Sequence, residues 1–168
     1  MTAADADLYR ALRLASLAEA PDAFGSTLAA EQAYPHDHWH TRLARAEAAQ
    51  DLPLLGLVDG VPVALAWAKI DPAGPGVVHL YQMWVEPRQR GQGIGLALLD
   101  SVIFWARKLE ARAVHLGVAT AQGAALRMYV KAGFVPLGLA ETLRDGSPLQ
   151  SQPMRLALDG AQQGRRLH

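Results

Sequence analysis

Three glycines at alternate positions in Arg90-Gly91-Gln92-Gly93-Ile94-Gly95, with a few titratable side chains on either side, hold most of the chemical potential of this chain. A helix start leaves several N–H groups unpaired and carries the positive end of the helix dipole. With side chains removed at Gly91, Gly93 and Gly95, such a start can cradle an anion, and a pyrophosphate suits it. Upstream lies His79, and an imidazole is the side chain suited to accepting a proton at neutral pH. Downstream, Tyr129 offers a phenol that can donate a hydrogen bond. His115 reads as structural and Glu86 as solvent-exposed. Cysteine is absent, which excludes disulfides, thiolate metal sites and a cysteine acyl-enzyme.

The elements that must position these groups are short-range features. An apolar, β-branched and aromatic run from Val77 to Val85 reads as a buried strand, ended by Pro87, which cannot continue a ladder. Strand alternation predicts that His79, Tyr81, Met83 and Val85 share one face. After the glycines, Ile94, Leu98, Val102, Trp105 and Leu109 recur at helical spacing up to about Glu110. The unit is strand, glycine turn, helix. A dinucleotide fingerprint would need glycine at Leu96, and a Walker loop would need Gly-Lys-Ser/Thr; neither is present. A strand at Val114 to Val118 follows, then Gln122-Gly123-Ala124-Ala125-Leu126-Arg127-Met128-Tyr129-Val130-Lys131-Ala132-Gly133-Phe134, where Gly133 reads as a helix stop and Phe134 as core.

Read as Arg/Gln-x-x-Gly-x-Gly/Ala, the glycine loop resembles the acyl-CoA pyrophosphate loop of the GCN5-related N-acetyltransferase (GNAT) superfamily. The segment from Gln122 to Phe134 is similar to that family's Asn-x-x-Ala-x-x-Leu-Tyr-x-Lys-x-Gly-Phe, with Gln122 in place of Asn. The resemblance implies one GNAT-like domain over residues 1–159. Its fold would be α/β (α+β), with a twisted mixed sheet of about six to seven strands, about four flanking helices, and a splay between the family's fourth and fifth strands. The implied activity is acetyl-CoA-dependent transfer of an acetyl group to a primary amine by direct attack in a ternary complex. A non-catalytic acyl-CoA-binding sensor is the alternative. Carried over residue by residue, the backbone of Met83, Trp84 and Val85 would hold the pantetheine arm, with an N–H near Met83 facing the thioester oxygen. Arg90, Gly91, Gln92, Gly93, Ile94 and Gly95 would hold the pyrophosphate, and Gln122 and Ala125 would meet the arm from the next helix. Tyr129 would serve the sulfur, mainly as a hydrogen-bond donor. His79, eleven residues before Arg90, would be the general base, with Tyr81 orienting a water. No metal is implied.

Earlier in the chain, Leu8, Leu12, Ala15 and Ala18 stripe one helix from Asp5 to Glu19. GNAT proteins open with a strand before this helix; few residues precede Asp5, so that strand is expected to be missing, very short or replaced. A second helical stretch runs from about Thr27 to Ala48, interrupted near Pro35. In the family this region walls the acceptor pocket, which makes Phe24, Tyr34 and Trp39 candidate acceptor contacts; aromatic packing of helix onto sheet is the competing reading. Of His36, His38 and His40, only His36 and His40 share a helix face, and no third ligand accompanies them, so no metal site is expected. Asp59-Gly60 between two apolar runs signals a type I′ hairpin, and Asp71 to Gly76 a second turn into the central strand. A strand at Ala113 to Ala119 should lie parallel to the central strand, and Phe134 to Ala140 with Pro153 to Leu158 should form a last hairpin, leaving 160–168 as a loose tail. Sixteen basic residues against sixteen acidic ones give no net charge, which argues against a nucleic-acid or membrane partner; the partner that the resemblance implies is a small-molecule or protein amine. Dimerisation is common in the family, so a homodimer stays open. With no long apolar run and no charged leader head, a cytoplasmic location is expected.

Overall fold

The computed structural model describes residues 1–158; the expected tail at 160–168 lies outside them. Asp59 and Gly60 both adopt positive φ, +49° and +77°, the geometry a type I′ turn demands. They join β1 (Leu52–Val58) antiparallel to β2 (Val61–Ile70). β2 pairs antiparallel with β3 (Val77–Val85), and the turn between them is closed by Asp71, whose Oδ1 accepts the Ala73 N–H at 2.8 Å. A crossover through α4 (Ile94–Lys108) makes β4 (Ala113–Ala119) parallel to β3. β7 (Gln150–Ala157) runs antiparallel along β4, and the short strands β5 (Val135–Pro136) and β6 (Glu141–Thr142) both pair with β7. The sheet has seven strands in the order β1-β2-β3-β4-β7-β5, with β6 also on β7. Around it lie α1 (Ala6–Glu19), α2 (Leu28–Gln32), α3 (His36–Ala48), α4 and α5 (Gly123–Lys131). This is the expected mixed α/β domain, with Pro35 dividing the second helical stretch into α2 and α3.

Alternation along β2 divides the core. Ala64, Ala66 and Ala68 face α4 and α5 and pack with Val78, Leu80, Leu99, Val102, Tyr129 and Phe134. Leu65 and Trp67 face the opposite way, into a cluster with Tyr9, Leu17, Trp39, Leu43 and Trp84 under α1 and α3. The small side chains let α4 lie close to the sheet. At Gly56 a Cβ would come within 2.8 Å of the Ala64 Cβ and 3.1 Å of the Ile94 Cγ2, so only glycine lets the first residue of α4 sit there.

Two expectations are refined. No strand precedes α1 among the described residues; a 3₁₀ turn, Ala3–Asp5, leads into it, and the Met1 ammonium donates to the Pro53 carbonyl on β1 at 2.7 Å. The last hairpin is also shorter on its first arm than Phe134 to Ala140, because Pro136 has no N–H to give and Gly138 turns the chain at φ +72°. A single bond from the Leu137 N–H to the Pro153 carbonyl, 2.8 Å, continues the pairing.

Candidate active site

Parallel pairing between β3 and β4 covers only Val77 to Leu80 against Ala113 to Leu116. Beyond that, β4 stays with β7 as far as Ala119, while β3 stays with β2 as far as Val85. The strands therefore part, and Tyr81 to Val85 present a backbone edge to an opening in the sheet. This is the expected splay.

Within that free half, Gln82 takes φ +57° and the register with β2 shifts between Leu65 and Trp67. The extra residue is a bulge, and it turns the strand over. Val78 and Leu80 pack on the α4 side before it, Met83 and Val85 on that same side after it, and Trp84 on the other. The single face predicted for His79, Tyr81, Met83 and Val85 is thus corrected: His79 and Tyr81 look toward α1–α3, Met83 and Val85 toward α4. A strict period of two fails because one residue has been inserted.

At the mouth of the opening, Gly91 and Gly93 hold φ at +78° and +82°, and a Cβ on either would meet nothing within 4 Å. The conformation needs glycine, and the space in front of it is open. The first backbone bond of α4 runs from the Ala97 N–H to the Gly93 carbonyl at 2.9 Å, and no side chain caps the helix. The N–H groups of Ile94, Gly95 and Leu96 are therefore available to an anion. Gly95 differs: a Cβ there would make ordinary contact with the Met128 Sδ at 3.5 Å and a Val85 methyl at 3.6 Å. It marks where α4 closes on α5. The Arg90 guanidinium is turned away from the loop, with Nε donating to the Val85 carbonyl at 2.9 Å and a terminal nitrogen to Glu19 Oε2 at 2.7 Å. Glu19 also accepts the Trp84 indole N–H at 2.9 Å. Partial burial pushes the Glu19 carboxyl up, but the hydrogen bonds from Trp84 and Arg90 outweigh it and hold it below the usual carboxylate range.

α5 starts beside β4. Gln122 donates its N–H to the Ala119 carbonyl at 2.9 Å, and its side chain makes no capping bond. Ala125 and Met128 pack with Tyr129 on the α4 side of the sheet. Tyr129 is buried edge-on against Phe134, with ring centroids 5.7 Å apart. Burial pushes its phenol far above the ordinary value, so it keeps its proton.

His79 Nε2 lies 2.9 Å from Asp71 Oδ2. With the proton on Nε2, the other ring nitrogen is left as an acceptor. The hydrogen bond from His79 is the main reason the Asp71 carboxyl is held low. The His79 ring stacks on Tyr81 at 5.9 Å and meets His115 edge-on at 5.5 Å. His115 Nε2 is buried without a protein partner, and burial, with His79 beside it, lowers its pKa and favours the neutral ring.

A cavity of about 750 Å³ lies between α1–α3 and the β2–β3 face. Of the aromatic residues expected there, Phe24, Tyr34 and Tyr81 line it. Trp39 does not: it is 1% exposed and packs edge-on to Tyr9 at 5.6 Å, because its helical stripe with Leu43 and Ala46 faces the sheet. Residues that sequence reading passed over include Gln82, whose Oε1 accepts the Tyr9 hydroxyl at 2.9 Å, and Trp67, Arg42 and Arg45 on the cavity wall. For the two arginines the one signal is the polar stripe His38, Arg42, Arg45 on α3, a pattern ordinarily assigned to solvent; Gln82 and Trp67 lie on strands and carry no such mark. The histidines at 36, 38 and 40 do not converge: His38 stacks on Tyr34 at 4.0 Å and exposed His36 lies 3.7 Å from Asp7. Among the described residues no group of three His, Asp or Glu side chains is disposed to hold a metal.

Residues 14–134 match the Acetyltransferase (GNAT) family model. The chain belongs to the GNAT acetyltransferase family. Within it, one similar curated relative is the mycothiol acetyltransferase of Propionibacterium freudenreichii, 37% identical over 76 residues, which are 45% of this chain and 24% of that relative. The matched part thus spans about a quarter of that longer protein. Among solved structures, the ribosomal-protein-alanine N-acetyltransferase of Brucella melitensis superposes with a TM-score of 0.77 at 22% identity, covering 94% of this chain and 97% of that one. The phosphinothricin acetyltransferase of Sinorhizobium meliloti, solved with acetyl-CoA, gives 0.77 at 19% identity over 94% of this chain and 85% of that one. These likenesses show the fold. No helix among the described residues is long and apolar enough to cross a membrane.

Proposed function

We propose that this GNAT protein is an acetyl-CoA-dependent N-acetyltransferase that moves an acetyl group to a primary amine by direct attack in a ternary complex. The observation that carries the reading is the opening between β3 and β4, set beside a glycine-led helix start and next to α5. The positive φ and open space at Gly91 and Gly93 fit a bulky anion such as the CoA pyrophosphate. The acetyl-CoA in the Sinorhizobium meliloti structure supports the same donor.

When bound, acetyl-CoA supplies the thioester. The N–H groups opening α4 hold the pyrophosphate, and the exposed edge of β3 holds the pantetheine arm. An N–H at Met83 polarises the carbonyl as the C–N bond forms and the C–S bond breaks. His79, held in one tautomer by Asp71, takes the ammonium proton through a water oriented by Tyr81. Tyr129 hydrogen-bonds the departing sulfur, which leaves as a thiolate and takes up the proton that the acylated nitrogen gives up. A phenol pushed up by burial is a reluctant acid, so its contribution is charge stabilisation more than full proton transfer.

The test is thiol release from acetyl-CoA across a panel of amines, run beside an acetyl-CoA titration of the wild type, Tyr129→Phe and His79→Gln. Turnover with an amine that falls about 100-fold in each variant, with acetyl-CoA affinity retained, is the expected result. Tight acetyl-CoA binding without thiol release from any amine would favour a sensor, and absence of binding would overturn the donor as well.

A further inference from the structure

The cavity wall carries more positive charge than it neutralises. Its charged groups are Arg13, Arg42, Arg45 and Lys69 against Glu31 and Asp51. Arg13 and Glu31 are spent on each other: Nε lies 3.1 Å from both carboxylate oxygens, a terminal nitrogen lies 2.8 Å from Oε1, and both side chains are buried. Lys69 approaches Asp51 at 3.9 Å, and Asp51 also accepts the Trp67 indole N–H at 3.4 Å. That leaves two guanidiniums. Arg42 reaches only to 3.7 Å from a Glu31 oxygen that Arg13 already occupies, and Arg45 has no carboxylate within ion-pair distance among the described residues. They are three residues apart on α3, on one side of the helix. Arg42 is also held in place, its guanidinium 5.6 Å from the Trp67 ring centroid and 5.8 Å from that of Tyr9.

We propose that this cavity selects amines that also carry an anionic group, with free α-amino acids and similar amino carboxylates as the class, and that Arg42 and Arg45 bind the anion. The inference rests on the N-acetyltransferase reading above and adds the acceptor to it. Tyr81 and Gln82 bring the β3 wall of the cavity to the opening where the thioester would lie, and α3 forms the wall across from it. An amino acid can place its amine at the first wall and its carboxylate at the second. The planar fork of arginine matches a carboxylate with two parallel hydrogen bonds. A polyamine or an aminoglycoside meets the same two unmatched cations as repulsion, which excludes the commonest small cationic acceptors. At about 750 Å³ the space suits a small molecule.

The experiment compares thiol release for a set of amino acids, each beside its own carboxamide, with spermidine and kanamycin in the same panel. Wild type, Arg42→Gln and Arg45→Gln are assayed together, and acetyl-CoA binding is titrated for all three. Arg42 also packs on Tyr9 and Trp67, so the exposed Arg45 provides a variant that does not disturb the core. At least one acid should be favoured over its amide tenfold or more in kcat/KM, and each variant should shrink that ratio threefold or more. Equal use of acid and amide, preference for the polycations, a ratio unmoved by both variants, or acetyl-CoA binding with no amino carboxylate acetylated would each overturn the acceptor class and leave the donor reading standing. Failure to bind acetyl-CoA would overturn both.

Discussion

At Gly93 the backbone is left-handed, φ +82°, in open space, while two residues on Gly95 is an ordinary helical residue with neighbours at 3.5 Å and 3.6 Å. The same residue type thus answers two different constraints. Alanine at Gly93 meets no atom but must adopt a conformation that costs an L residue about 1–2 kcal/mol. Gly93→Ala is expected to lower stability by about that much and to weaken acetyl-CoA binding tenfold or more, since relief of strain moves the N–H groups of the loop. Gly95→Ala should change stability by less than about 1 kcal/mol, because a better helix former offsets a slightly tighter contact. Denaturant unfolding and acetyl-CoA titration of both variants check the contrast.

Among the elements, α1 and α2 are joined by the Arg13–Glu31 pair, buried on both sides. Taking two charges out of water is costly, and the pair persists because its geometry is close and multiply bonded. Glu31→Ala strands the Arg13 guanidinium inside and should cost about 3–5 kcal/mol in chemical denaturation, whereas Arg13→Met with Glu31→Leu should recover most of it. Elements built from local signals were legible in the sequence: the Asp59-Gly60 hairpin, the strand–glycine–helix unit around Gly91 to Gly95, and the parallel placement of β4. The bulge at Gln82 was not, because neither glycine nor proline marks it and it is set by the pairing of β3 with β2. The Glu19–Arg90 contact joins positions far apart in the chain and leaves no periodic trace. Trp39 shows the other limit: an aromatic residue beside a pocket and one beneath it look alike in sequence, and only the rotation of α3 separates them.

For the whole molecule, His115 links stability to pH. Its folded pKa lies below the ordinary 6.5, so at lower pH the unfolded chain binds the extra proton. This share of stability is complete above about pH 6.5 and is lost as pH falls toward the lowered folded value. The melting temperature should rise as the pH is brought up to about 6.5, with a shallower slope in His115→Gln. The bulge at Gln82 has a further effect at this scale. Because it reverses the strand, the groups proposed for the donor lie on one face of the sheet and those proposed for the acceptor on the other. Acetyl-CoA and amine would then enter by separate doors, and neither product would have to wait for the other to leave. Initial-rate plots should intersect, and free CoA should compete with acetyl-CoA but not with the amine; parallel lines would mean an acetylated enzyme formed before the amine binds, and would overturn direct attack.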